Sequence, residues 1–391
     1  MFGWYESAFG ALDWRTVVML LMGGALIYLG IAKKMEPFLL IPIGFGIILV
    51  NIPHGGLMTF TSEGLPAKGT LDDLSTGQIG PLNLLFHYGI ASEIIPLLIF
   101  LGIGAMTDFG PAIARPVSFL FGATAQLGVV VVFLIAYLTE WFTLQESACV
   151  GIIGGSDGPP TVFLTVQMAP QLLGPITLAA YSYMALVPIV QPPVIRLLTS
   201  KEERAIYMEP QVREVSRLEG ILFPVIVFVG ATLLVPKAAP LVGMLMFGNL
   251  LRASGVTQRL AETAGGPFID SLTFILGLSV GTLMPAEVFF KSQTLAILGL
   301  ALVAFVFSTA GGVLAAKFVN LILVLLKKER INPMIGAAGV SAVPMSARVV
   351  QKMGQKANPR NFLLMNAMGP NMAGTIGTSV LAGIFLGMIA H

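Results

Sequence analysis

Apolar stretches long enough to cross a lipid bilayer recur along this chain, and its charged residues are crowded into the short breaks between them. A hydrocarbon core takes about 20 mostly apolar residues per helix. Runs of that character cover Thr16 to Ile31, Pro37 to Ile52, Ser92 to Met106, Val117 to Leu138 and Pro175 to Leu198, then Ile221 to Val235, Pro240 to Leu251, Phe268 to Met284 and Thr294 to Leu326. Only 11% of the 391 residues are charged, against about 25% in a soluble domain. The expected class is therefore an all-α polytopic membrane protein with roughly 9 to 11 spans. A net charge of +2 with balanced acids and bases gives no basic face for nucleic acid. One cysteine, Cys149, and three scattered histidines make neither a disulfide nor a thiolate or imidazole metal site. The opening MFGWYESAFGALDWR lacks the basic start of a signal peptide, so the run from Thr16 is expected to stay as a span.

The polar insert Thr61 to Gly80 belongs at or outside the interface, and KEERAIYMEPQVREVSRLEG, Lys201 to Gly220, reads as a solvent loop between two membrane halves. The expected division is 1–200, a first repeat with N-terminal spans; 201–219, the loop; and 220–391, a second repeat. The halves match in order. Pro42 and Asn51 have the spacing of Pro240 and Asn249, LLIFLGIGAMT aligns with LTFILGLSVGT, and GGSDGPP with AGVSAVP, setting Asp157 against Ser341. Repeats interrupted at matching positions mark secondary-transporter architecture with a site at the repeat interface; Gly-rich apolar helices can also resemble each other by composition alone. Lys33, Lys34, Lys327, Lys328 and Arg330 place their loops in the cytoplasm and the N-terminus outside.

Asp157 sits among Gly154, Gly155, Gly158, Pro159 and Pro160, where a continuous helix cannot persist. Free backbone groups survive in a bilayer only in a protein-lined or watered cavity, and a carboxylate there must be paired, protonated or bound to a cation. Hard cations take oxygen ligands, so Asp157 and unwound carbonyls fit sodium; capping the half-helix after it is the alternative, and the two are compatible. Tyr181, Ser182 and Tyr183 interrupt the next span. Tyr183 is either a proton-relaying hydroxyl beside Asp157 or a packing residue. The second broken stretch offers Asn332, Ser341, Ser346 and Arg348, and the last one Asn371 beside Gly369 and Pro370. Arg348 either ends a helix in the cytoplasm beside Lys352 and Lys356 or clamps a carboxylate-bearing ligand. Asp108, Asp270, Glu287 and Lys291 fall near span ends and read as interface or gate residues.

GGSDGPPTVFLT, AAYSYMALVPIVQPP, GAAGVSAVPMSARVVQKMG and NFLLMNAMGPNMAGTIGTSVLAG resemble the beta subunits of sodium-pumping biotin-dependent decarboxylases, which act on oxaloacetate, methylmalonyl-CoA or glutaconyl-CoA. The resemblance implies inverted repeats with re-entrant hairpins and a bacterial cytoplasmic-membrane location. It implies decarboxylation of carboxybiotin coupled to Na+ export, with a proton consumed. The implied partners are a carboxyltransferase alpha subunit, a biotin carrier subunit and a small single-span gamma or delta subunit, together with further copies of the chain in a homo-oligomer. Carried over by position, it assigns catalysis to Asp157, Tyr183 and Arg348, carboxybiotin binding to Arg348 and Asn332, and sodium to Asp157, Gly336, Ser341 and Asn371. The competing expectations are a Na+-coupled transporter without chemistry and a purely structural anchor for soluble subunits.

Overall fold

A computed structural model describes residues 8–62, 65–210, 213–342 and 344–389. Among them the ordered backbone is helical, with one isolated β-bridge between Phe60 and Pro66. The principal helices are α1 (Trp14–Ala32), α2 (Pro37–Val50), α3 (Ile94–Met106), α4 (Ser118–Ala125), α5 (Leu127–Leu138), α6 (Leu144–Ile152) and α7 (Gly158–Met168). They continue with α8 (Leu173–Leu198), α9 (Arg217–Leu234), α10 (Ala239–Ala253), α11 (Ile269–Thr282), α12 (Ser292–Leu325), α13 (Met345–Ala357) and α14 (Leu364–Ile389). The first begins where the polar opening ends: Asp13 accepts the Thr16 amide at 2.7 Å, the usual way a short carboxylate satisfies a free helix donor.

Seven helical stretches of the described residues are long and apolar enough to span a bilayer, and a pair bent by 56°, Pro81–Ile90 with Ile94–Met106, makes an eighth. The nine to eleven expected from the sequence included shorter pieces. At 1.5 Å per residue α2 and α10 reach only about 21 and 22 Å, against a hydrocarbon core of about 30 Å, and α6 and α7 are the two arms of one broken stretch.

The two halves of the chain pack reciprocally: α2 lies against α11, and α10 against α3. The matched asparagines do matching work. Asn51 donates to the Met284 carbonyl at 2.9 Å and accepts the Ala286 amide at 2.8 Å, just past α11. Asn249 donates to the Thr107 carbonyl at 3.0 Å, just past α3. Helix ends leave carbonyls unpaired, and inside a bilayer only protein or trapped water can satisfy them. Each half thus closes a helix end of the other.

The loop between the halves is fastened rather than free. Ser200 caps the short helix Lys201–Ala205, Lys317 pairs with Glu203 at 3.1 Å, and Asn361 donates to the Ile206 carbonyl at 2.7 Å.

Candidate functional site: a carboxylate where two broken stretches meet

α6 unwinds through a tight turn at Ile153–Gly155, Ser156 takes a left-handed conformation at φ 51°, and Asp157 is extended before α7 starts at Gly158. Pro159 and Pro160 fall in the first turn of α7, where a missing amide costs no helical hydrogen bond. Asp157 occupies the capping position, yet its side chain makes no capping hydrogen bond. It reaches across the molecule instead: Oδ2 accepts the Ser341 hydroxyl at 2.9 Å. Of the two compatible roles read from the sequence, ion binding and capping, the side chain does not make the cap.

Ser341 lies in the second break, between the one-turn helix Met334–Ala337 and α13. Its amide donates to the Gly155 carbonyl at 3.1 Å, so the two breaks are joined through backbone as well as side chains. Its hydroxyl also lies 2.7 Å from that of Thr375. Thr375 is one turn beyond Asn371 on α14, on the same face. The Asn371 amide nitrogen donates to the carbonyls of Ala338, Val340 and Ser341 at 2.9, 2.9 and 3.1 Å. Gln191 of α8 takes the Ala337 carbonyl at 2.9 Å, and Ser308 of α12 takes that of Gly154 at 2.7 Å. The unwound carbonyls are therefore held by named donors, as the absence of bulk water demands.

What this clamp leaves over is oxygen. Asn371 Oδ1 is buried without a hydrogen-bond partner among the described residues, while Asp157, Ser341 and Asn371 are 5%, 1% and 0% exposed. A cavity of about 200 Å³ reaches the cluster, bounded by Asp157, Ser341, Thr375, Tyr181 and Ser156, with Glu36 and Asp270 on its more exposed wall. A carboxylate, hydroxyls and an orphaned amide oxygen suit a hard monovalent cation. No group of three or more His, Cys, Asp or Glu side chains is placed to hold a metal among the described residues.

The residues singled out in the sequence divide. Asp157, Ser341 and Asn371 come together. Tyr183 does not join them: its half-buried hydroxyl donates to the Leu298 carbonyl of α12 at 2.7 Å, and Tyr181 lines the cavity in its place. Asn332 donates to the carbonyls of Arg204 and Ile206, both at 2.9 Å, and so pins the loop between the halves. Gly336 makes a close crossing, since a Cβ there would lie 2.0 Å from the Gly312 carbonyl oxygen. Arg348 is exposed on α13. It lies near Glu36, whose carboxyl burial holds above the ordinary carboxylate range and which the Arg348 charge pulls back down. The sequence reading missed Thr375, Gln191 and Glu36. Thr375 was within reach of it, one helical turn from Asn371; the other two join the site through contacts between distant segments.

Residues 15–389 match a family described as Na+-transporting oxaloacetate decarboxylase beta subunit. The chain is similar to methylmalonyl-CoA decarboxylase subunit beta of Propionigenium modestum, with 52% identity over 390 residues and 98% of each chain covered. It is similar to glutaconyl-CoA decarboxylase subunit beta of Acidaminococcus fermentans, 49% identical over 384 residues covering 98% of this chain and 96% of that one. Oxaloacetate decarboxylase beta chain 2 of Salmonella typhi is 46% identical over 411 aligned positions, with 94% of each chain covered.

Proposed function

The chain belongs to the family of Na+-transporting decarboxylase beta subunits, and on that premise we propose that it decarboxylates carboxybiotin and couples the reaction to Na+ export across the bacterial cytoplasmic membrane. The observation that carries this reading is the contact between Asp157 and Ser341, buried at the meeting point of the two breaks and open to a cavity. A carboxylate so placed is tolerated when a proton or a cation neutralises it. Alternation between those two is what a sodium pump that consumes a proton requires.

In this reading sodium binds to Asp157, the hydroxyls of Ser341 and Thr375, and Asn371 Oδ1. Gly336 contributes by letting the second break sit against α12. Arg348, beside Glu36, draws the anionic carboxybiotin toward the cavity, and Asn332 acts through the loop it holds. Loss of CO2 breaks the N–C bond of carboxybiotin and leaves a nitrogen that takes up a proton. Asp157 gives up its proton as sodium arrives. Exporting one charge against the membrane potential takes about 2.3 kcal/mol per 100 mV, and two access states are needed for the work to be stored. The positive-inside rule applied to Lys33, Lys34, Lys327 and Lys328 supports a cytoplasmic Arg348 end in this reading.

Carboxyltransferase alpha, biotin carrier and single-span gamma or delta subunits complete the complex, with further copies of this chain. The similar chains are beta subunits of decarboxylases for three different substrates, at comparable identity, and in this reading the carboxyltransferase partner chooses the substrate. A Na+-coupled transporter without chemistry is the reading this displaces. The test is the complex reconstituted in vesicles and supplied with its carboxylic acid, followed by CO2 release and vesicle Na+ content. Asp157→Asn is expected to stop both while carboxyl transfer to biotin continues. Sodium movement at the parent rate in Asp157→Asn overturns the proposal.

A further inference from the structure

We propose that the chain holds the phosphate-bearing headgroup of an anionic phospholipid at the loop end of α8, in a pocket lined by four cations and no acid. The pocket shares no lining residue with the Asp157 cavity.

Three elements build it. α8 supplies Arg196, the short helix Lys201–Ala205 supplies Lys201 and Arg204, and the end of α13 supplies Lys356, with Met353 and Ala357 completing the wall of a space of about 300 Å³. A cation in the last turn of a helix is ordinary, because it faces the negative end of the helix dipole, and that accounts for Arg196 and Lys356 taken singly. It does not account for their meeting each other and two more. Like charges gathered around one space repel, and the neighbouring acids do not offset them: Glu202 does not line the pocket, while Glu203 pairs with Lys317 at 3.1 Å and accepts the Ser200 amide at 2.7 Å. None of the four cations is ion-paired to an acid among the described residues. Arg204 is already held in place, since Nη1 donates to the Thr199 carbonyl and, at 3.2 Å, to the Thr199 hydroxyl. The rest of its guanidinium fork is left for a ligand.

The surroundings decide which anion. Ile189, Pro193 and Leu197 recur four residues apart and share a face of α8, and Ile189 and Leu197 are 59% and 86% exposed. In a membrane helix such a face meets lipid, and the exposed Arg196 adjoins it. Acyl chains can therefore lie along the apolar face while the phosphate reaches the cations. α8 ends beside α12, where Lys317 donates to the Leu198 carbonyl at 3.0 Å, on the side of Lys327 and Lys328, which the positive-inside rule gives to the cytoplasm. Basic pockets between helices at that surface suit phosphate-bearing headgroups. A headgroup bound there ties α8 and the loop helix to α13, the helix that carries Arg348.

The test uses the intact detergent-solubilised complex, stripped of lipid and titrated with diphosphatidylglycerol, phosphatidylglycerol or phosphatidylcholine, with bound phospholipid phosphorus and melting temperature as readouts. Lys201→Gln with Lys356→Gln removes two pocket charges at exposed positions, and Lys327→Gln with Lys328→Gln makes the same change in charge outside the pocket. At roughly fivefold per charge, the pocket pair is expected to weaken binding of both anionic lipids about 25-fold and to lose the rise in melting temperature that they bring. The control pair is expected to stay within twofold of the parent, and phosphatidylcholine to raise no melting temperature. Equal weakening in the two pairs overturns the proposal. Displacement of the lipid by inorganic phosphate at equal concentration also overturns it and gives the pocket to a soluble anion. Undiminished lipid binding in the pocket pair overturns it too, and if that variant releases the biotin carrier subunit, the pocket belongs to a protein partner instead.

Discussion

Replacing Ser341 by alanine removes one oxygen from the site and little else. The backbone of residue 341 keeps its bonds, the amide to Gly155 at 3.1 Å and the carbonyl from Asn371 at 3.1 Å, so the break stays in place. What is lost is the hydroxyl donated to Asp157 at 2.9 Å, together with the proposed sodium ligand. A hydrogen bond to a charged group is worth about 1.5–3 kcal/mol. Thr375 also loses its close partner, and its remaining contact, the Asn371 carbonyl at 3.4 Å, is long. At 1.4 kcal/mol per tenfold, the sodium concentration for half-maximal activity should rise about 10- to 100-fold. The assay is CO2 release by the solubilised complex across a sodium titration, with lithium as ionic-strength control. Ser346→Ala is the matched control, because that buried hydroxyl has no hydrogen-bond partner among the described residues and should leave the titration within twofold. An unshifted Ser341→Ala titration, or an equal shift in the control, refutes the assignment of Ser341 to the ion.

Gly336→Ala places a methyl 2.0 Å from the Gly312 carbonyl oxygen; overpacking of that kind costs about 1–3 kcal/mol, and both a lower melting temperature and weaker sodium activation are expected, with Gly312→Ala behaving alike. Asn249→Leu strands the Thr107 carbonyl, whereas Asn51→Leu strands both the Met284 carbonyl and the Ala286 amide. At about 1–3 kcal/mol per orphaned group, Asn51→Leu should show the larger loss in detergent thermal unfolding, and equal losses would count against the reciprocal closure. In the loop, burial raises the Glu203 carboxyl but the Ser200 amide and Lys317 outweigh it, so the net shift is downward. A depressed carboxyl stabilises above its ordinary range and ceases to as pH falls through the lowered value; proteolysis of the loop at 199–216 should therefore accelerate below pH about 4 and, at neutral pH, in Glu203→Gln.

How far the sequence carried this differs between fold and site. Membrane class and the position of both breaks were legible, because apolar run length and glycine–proline clusters act locally. Asp157, Ser341 and Asn371 were legible as polar residues at such breaks; the repeat alignment set only Asp157 against Ser341, and the grouping of all three came from the family resemblance. The direction of a side chain was not. Tyr183 and Tyr181 look alike in AAYSYM, and only the rotation of α8 against α7 and α12 decides that one bonds Leu298 while the other faces the carboxylate. Asn332 and Gly336 carry no local sign that their neighbours are the loop at 204–206 and the backbone of α12. Hydropathy measures how apolar a segment is and not how long its helix runs, so it reads the 14-residue α2 as it reads a longer helix.

The pair at the centre is unequal, and in the proposed function that inequality is what couples proton to sodium. Asp157 and Ser341 stand at matched places in the two halves and touch. Two hydroxyls there would give a cation no charge to neutralise. Two carboxylates at hydrogen-bond distance would not both ionise, so a proton would stay when sodium came. One acid supplies the single charge that either a proton or a sodium ion neutralises, and the hydroxyl beside it adds an oxygen ligand without adding charge. If the meeting point itself matters more than the half that supplies the charge, exchanging the two residues should preserve function in part. Asp157→Ser alone is expected to be inactive, Ser341→Asp alone to release CO2 without sodium stimulation, and the double exchange to recover a measurable fraction of sodium-stimulated turnover. A folded, fully assembled double exchange as inactive as Asp157→Ser would show that α6 and α7 supply something the second break cannot, and would end the argument from matched positions.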